Sequence, residues 1–142
     1  VFRTRTWVAD GPAAARGPLD VHGAPVRDGV LSLDQLNDDE RWGLAQMYST
    51  LLKRGNAFFD TGDGKGMDLP YISAWHQAPL HDLRREPYRL NLQFFSFRRS
   101  ANKIKYLAGS ESGMGTWISD TTPEKIAARF HELGPIDLES EG

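Results

Sequence analysis

The sequence predicts an α+β fold: an antiparallel sheet with helices on one face. Three observations carry this. Residues 89–97 alternate, with Leu90, Leu92 and Phe94 on one face of a strand and Asn91, Gln93 and Phe95 on the other. Leu44, Met47, Tyr48, Leu51 and Leu52 recur at helical spacing and form one apolar stripe. The order of elements, strands then a long helix then strands then a helix, lacks the regular strand–helix alternation that builds a parallel sheet. At 142 residues the expectation is a single domain spanning 1–142. A chain of this size buries about 70% of its unfolded surface, enough for a core.

Taken in order, Phe2 to Ala9 reads as a first strand, broken by Asp10-Gly11-Pro12. Leu19-Asp20-Val21-His22 reads as a short strand with Asp20 and His22 on one face at i, i+2. That pair could ligate a metal or hydrogen bond, a solvated surface pair being the commoner outcome. Asn37 and Glu40 form a capping-box signature that starts a helix at about Asp38 and carries it to Arg54 or a few residues beyond. Gly62-Asp63-Gly64-Lys65-Gly66 has the composition of a phosphate loop but the wrong context. A phosphate cradle needs a strand before it and a helix N-terminus after it, and here a helix precedes. Tyr71 to Trp75 is a short aromatic strand ended by His76; Gln77 to Pro87 is a loop; Arg98 to Asn102 is a turn. Trp117-Ile118 is a further short strand. Thr122 caps a last helix with Pro123 at its first position, Ile126, Phe130 and Leu133 as its stripe and Gly134-Pro135 as its stop. The tail 136–142 is acidic and expected to fray.

Composition excludes several function classes. A net charge of −2 supplies no field for nucleic acid. No apolar run approaches membrane-spanning length. The absence of cysteine removes disulfide and thiolate chemistry and suits a cytoplasmic setting.

Lys103 to Glu111 is the stretch where chemistry concentrates. It alternates at Ile104, Tyr106 and Ala108, starts with two lysines and ends, past Gly109, in a carboxylate. Lysines suit a phosphate, and a strand-end carboxylate suits sugar hydroxyls. The same residues would also make an edge strand with solvated charges. Lys105-Tyr106-Leu107-Ala108-Gly109-Ser110-Glu111, followed by Ser112-Gly113-Met114-Gly115-Thr116-Trp117-Ile118-Ser119-Asp120 and Thr122-Pro123-Glu124, resembles galactose-1-phosphate uridylyltransferase, specifically its C-terminal half. Leu69-Pro70-Tyr71-Ile72-Ser73-Ala74-Trp75-His76-Gln77-Ala78-Pro79 resembles that family's Pro-Tyr…Trp-His-x-Ala-Pro segment, and the order of the two blocks also fits.

The resemblance implies a histidine-triad-like half-unit and a role in moving a uridylyl group between UDP-glucose and galactose-1-phosphate. The family's nucleophile is a histidine in a His-Pro-His motif of the N-terminal half; His22, His76, His81 and His131 make no such motif, so no catalytic residue is expected in this chain. The sugar-phosphate grip falls by position on Lys105, Ala108, Ser110 and Glu111, with Ser110 where a tyrosine is common. A second family site, which holds zinc or iron in some members, falls on Asp20, His76, Asn91 and Gln93. Two amides there are poor ligands, so no cofactor is expected. The implied ligand is a hexose-1-phosphate or UDP-sugar, and the implied partner an N-terminal-half protein or a second copy. The alternatives are a non-catalytic sugar-phosphate or nucleotide-binding module and a truncated remnant.

Overall fold

The computed structural model describes residues 1–60, 68–81, 88–104, 106, 111, 119 and 121–134. Its main sheet has five antiparallel strands in the order β1-β2-β3-β5-β4. These are β1 Phe2–Arg3, β2 Trp7–Asp10, β3 Asp20–Pro25, β4 Tyr71–His76 and β5 Asn91–Ser96. A separate ribbon pairs β6 Arg98–Ser100 with β7 Lys103–Ile104. Two helices follow the predicted positions, α1 Asp38–Phe58 and α2 Pro123–Glu132.

Directly opposed residues of an antiparallel pair share a face. The register therefore sets Ala9, Gly23, Leu92 and Trp75 in one row, with Val21 and Phe94 in a neighbouring row of the same face. This face is the core side. Trp7, Val21, Leu92 and Phe94 are fully buried there with Met47 and Leu51 of α1 and Phe130 of α2, and Ile126 joins the same cluster. Each such side chain contributes about 1.5–3 kcal/mol by leaving water. The predicted α1 stripe is thus core-facing, with Leu44, Tyr48 and Leu52 packed at its margins. Tyr48 also reaches the sheet through its hydroxyl, 2.8 Å from Ser73 Oγ.

The start of α1 is held by one side chain. Glu40 accepts from the Asn37 backbone N–H at 2.9 Å, while its own N–H donates to Asn37 Oδ1 at 2.9 Å. A cap of this kind contributes about 1 kcal/mol. The same carboxylate takes two guanidinium bonds from Arg27, at 2.6 and 2.9 Å, and the Glu40 carbonyl accepts from the buried Trp7 indole at 2.8 Å. Gly43, one turn on, permits the close approach this needs: a Cβ there would stand 2.0 Å from Thr6 Oγ1.

At the other end the helices cap each other. Arg129 of α2 donates to the Phe58 carbonyl at 3.0 Å and the Ala57 carbonyl at 3.4 Å; Arg54 of α1 donates to Phe130 and Gly134 carbonyls at 3.0 and 2.6 Å. Each guanidinium adds donors to carbonyls at or just past a helix C-terminus. Gly134, at φ +73°, supplies the left-handed residue just past α2.

Two expectations are corrected. Phe2 to Ala9 is two strands, because Thr4 folds the chain back: its N–H donates to the Trp7 carbonyl and its Oγ1 accepts from the Trp7 N–H. Arg98 to Asn102 is not all turn, since Arg98 and Ser100 pair with Ile104 and Lys103, leaving Ala101-Asn102 as the turn. That ribbon is polar and largely exposed, so it has no alternation to betray it. Of the strand read from Lys103 onward, Lys103–Ile104 is described as a strand, and Ile104 and Tyr106 are exposed, as an edge strand with solvated charges would have them. The glycine-rich stretch 62–66, the Trp117-Ile118 strand and the tail 136–142 lie outside the described residues.

The Arg27 guanidinium holds the Glu40 carboxyl below the usual carboxylate range. The lowered value belongs to the folded state, so this contribution to stability is present above the unfolded value of about 4.3 and is lost as pH falls through the folded one. Glu40→Gln should therefore melt below the parent at pH 7, with the gap narrowing as melts are repeated at progressively lower pH under about 4. A gap independent of pH would show that the charge contributes nothing.

Candidate functional site

The sheet face opposite the helices carries most of the polar residues singled out in the sequence. His22, Gln93 and Ala74 form one row across β3, β5 and β4; Asn91 and His76 form the next; Asp20, Phe95 and Ile72 form the row on the other side. Asp20, His76, Asn91 and Gln93 thus lie on one face within three adjacent rows, together with His22. The side chains differ in access. Asp20 is fully buried, Gln93 nearly so, and His22 and His76 are exposed.

Asp20 is the most constrained member. Its Oδ2 accepts from the Arg16 backbone N–H at 3.0 Å. Its Oδ1 makes no hydrogen bond, and the nearest cation-forming group is His22 Nε2 at 3.7 Å. Arg16 also sets its guanidinium over the Phe95 ring, 5.7 Å from the centroid, so the stretch before β3 roofs this end of the face. The periodicity of the sequence does not single out Arg16, which sits in an irregular small-residue segment.

Zinc or iron would need three or four imidazole, carboxylate or thiolate donors in reach. Among the described residues no group of three or more histidine, aspartate or glutamate side chains is placed to hold an ion. Asn91 and Gln93 present neutral amides, and the Asn91 amide nitrogen already donates to the Arg89 carbonyl at 3.0 Å. The donor set does not suit either metal.

Of the sugar-phosphate candidates, Lys105, Ala108 and Ser110 lie outside the described residues. Glu111 is described and is 5% exposed. Tyr106, between Lys105 and the rest of the block, is 88% exposed. Of the remaining histidines, His81 lies in the loop after β4 and His131 in the last turn of α2.

Asp20→Asn tests what holds the buried carboxylate. The amide oxygen keeps the Arg16 bond, the amide nitrogen can donate toward His22, and a buried charge is removed. The melting temperature should stay or rise by up to about 4 °C. A fall would show that the charge itself is needed there.

No family model matches the chain. Curated relatives do. The galactose-1-phosphate uridylyltransferase of Thermotoga maritima is 26% identical over 133 residues, 93% of this chain and 40% of that protein. The enzyme of the same name from Streptomyces lividans is 30% identical over 96% of this chain and 39% of its own length. Among solved structures, a mutant uridylyltransferase superposes with a TM-score of 0.80 and 34% identity over 93% of this chain and 41% of its own. An ADP-glucose phosphorylase from Arabidopsis thaliana, solved with bound ADP-glucose, superposes with a TM-score of 0.74 at 23% identity, a likeness of fold. The chain spans about 40% of the length of these proteins. It is a homologue of the galactose-1-phosphate uridylyltransferases and corresponds to their C-terminal half.

Proposed function

We propose that this homologue of the uridylyltransferases is the sugar-phosphate-binding half of a nucleotidyl-transfer enzyme. The single observation behind the reading is homology that covers nearly the whole chain and includes the Lys105–Glu111 block. The ligand is a hexose-1-phosphate or the hexose-1-phosphate part of a UDP-sugar. Lys105 offsets the phosphate charge as a point donor. Glu111 accepts from sugar hydroxyls, and its burial suits a carboxylate that acts where water is excluded. Ala108 and Ser110 line the same segment, Ser110 with a shorter reach than tyrosine.

Uridylyl transfer needs an attacking imidazole aligned on the α-phosphorus and a neighbour to orient it. No pair of histidines in this sequence has the His-x-His spacing. The nucleophile is accordingly supplied by a complementary half, and the grip is completed where the halves, or two copies, meet. The curated relatives named above are transferases, which does not favour a purely non-catalytic module. A cytoplasmic setting is supported by the cysteine-free sequence. Among the described residues no helix is long and apolar enough to cross a membrane.

The face bearing Asp20 and His76 binds no zinc or iron tightly in this reading. Elemental analysis of protein purified without chelator should find either metal well below one equivalent. Near-stoichiometric metal would overturn this part, with His22 as the extra ligand to examine.

Calorimetry with glucose-1-phosphate tests the grip. Lys105→Ala should cost about 1.5–3 kcal/mol, the range for a hydrogen bond to a charged group. Glu111→Gln should reduce discrimination between glucose-1-phosphate and galactose-1-phosphate more than affinity for the phosphate. Unchanged binding in Lys105→Ala would remove the basis for carrying the family's site to this chain.

A further inference from the structure

The two edges of the five-stranded sheet are unlike. β1 is two residues long and carries the exposed Arg3, which blunts it as a template for another strand. β4, at the opposite edge, is six residues long, and among the described residues it pairs with β5 alone. None of its six side chains is buried, whereas four of six are in β5. Tyr71 and Ile72 are each 40% exposed. An edge strand turns a row of backbone N–H and C=O groups outward, and proteins ordinarily guard such a row with charge, proline or a bulge. β4 has none of these. Its register against β5 runs unbroken from Tyr71 opposite Ser96 to His76 opposite Asn91. Leu69 to Leu80 contains no Asp, Glu, Lys or Arg, in a chain where these make up 25% of the residues.

The neutrality of this stretch selects the occupant. At a two-fold contact every charge stands near its own copy, so a charged edge repels itself and a neutral one does not. The alternation of side chains then restricts the register. A two-fold axis perpendicular to the sheet keeps the helices of both copies on one side, and directly opposed residues share a face, so odd-numbered residues meet odd and even meet even. Tyr71, Ser73 and Trp75 oppose Ser96, Phe94 and Leu92 on the helix side, while Ile72, Ala74 and His76 lie on the open side. An axis at Ser73 sets Tyr71 against Trp75 of the second copy and Ile72 against its Ala74, which pairs two aromatic residues across the contact. An axis at Ala74 sets Trp75 against Ser73 and Ile72 against His76 instead. We propose that β4 pairs antiparallel with β4 of a second copy about an axis at Ser73, joining two five-stranded sheets into one. A single strand pair is small beside the roughly 1,000 Å² of a stable interface, so the association is reversible. The inference stands on the sheet edge and is independent of the sugar-phosphate reading.

Analytical ultracentrifugation of the whole chain over a range of concentrations should show a monomer–dimer equilibrium. Ile72→Lys places like charges on either side of the axis and should weaken the dimer at least roughly tenfold. Ile72 is exposed, so the variant should melt with the parent. Trp42→Lys, on α1 and 66% exposed, should dimerise as the parent does. Cross-linking reads the register, since the chain has no cysteine of its own. Under mild oxidation Ser73→Cys should give a disulfide-linked dimer, because directly opposed strand residues lie within disulfide reach. Trp42→Cys should stay unlinked at the same concentration. A chain that is monomeric at every concentration, a dimer weakened by Trp42→Lys and not by Ile72→Lys, or linkage of Trp42→Cys as fast as Ser73→Cys would each overturn the proposal.

Discussion

The rest of the structure depends on how Glu40 is held. One carboxylate closes the capping box of α1, receives both bonds from Arg27, and sits on a residue whose carbonyl takes the Trp7 indole. It therefore joins three parts of the chain that are distant in sequence: the second strand, the connection after the third, and the first turn of the long helix. A buried carboxylate is tolerable only when its charge and lone pairs are matched, and here they are matched by groups from separate segments. Setting that end of α1 against the sheet determines where its apolar stripe lands, and hence where the far end meets α2. The reciprocal arginine caps between the two helices follow from that placement.

The consequence for function is a sheet with two unlike faces. Because side chains alternate along a strand, the register that buries Val21, Leu92 and Phe94 under the helices also turns Asp20, His22, Asn91 and Gln93 to the other side. A slip of one residue would exchange the two sets. The burial of the apolar face is thus what gathers the polar residues, and their proximity requires no separate organising interaction.

Much of this was legible in the sequence where one local signal had one structural meaning. Asn37 and Glu40 announced the start of α1, and Thr122-Pro123 that of α2. The alternation through Leu90, Leu92 and Phe94 announced the central strand. Signals failed where the interaction was non-local or the element polar. Thr4 made a turn inside an apparently continuous strand; Arg98 and Ser100 formed a ribbon without an apolar face. The partnership of Arg27 with Glu40 spans 13 residues and has no periodic signature. At the candidate site, local periodicity put Asp20 with His22 and Asn91 with Gln93 on strand faces, while Lys105, Ala108, Ser110 and Glu111 rest on family resemblance.

The face opposite the helices shows how a surface that gathers a buried carboxylate and two amides stays folded. A buried carboxylate needs its charge and lone pairs matched. At Asp20 part of the match comes from the backbone. One oxygen takes the Arg16 N–H, and the Arg16 side chain closes over Phe95, which is paired across the strands with Asp20 itself. The other oxygen faces the exposed His22, whose Nε2 stands 3.7 Å away. Asn91 and Gln93 fill their positions in the rows without adding charge. Under the proposed reading, this face serves the fold through hydrogen bonding while the chemistry toward sugar phosphate resides elsewhere in the chain. The two demands, holding β3 against β5 and gripping a phosphate, then fall on different residues.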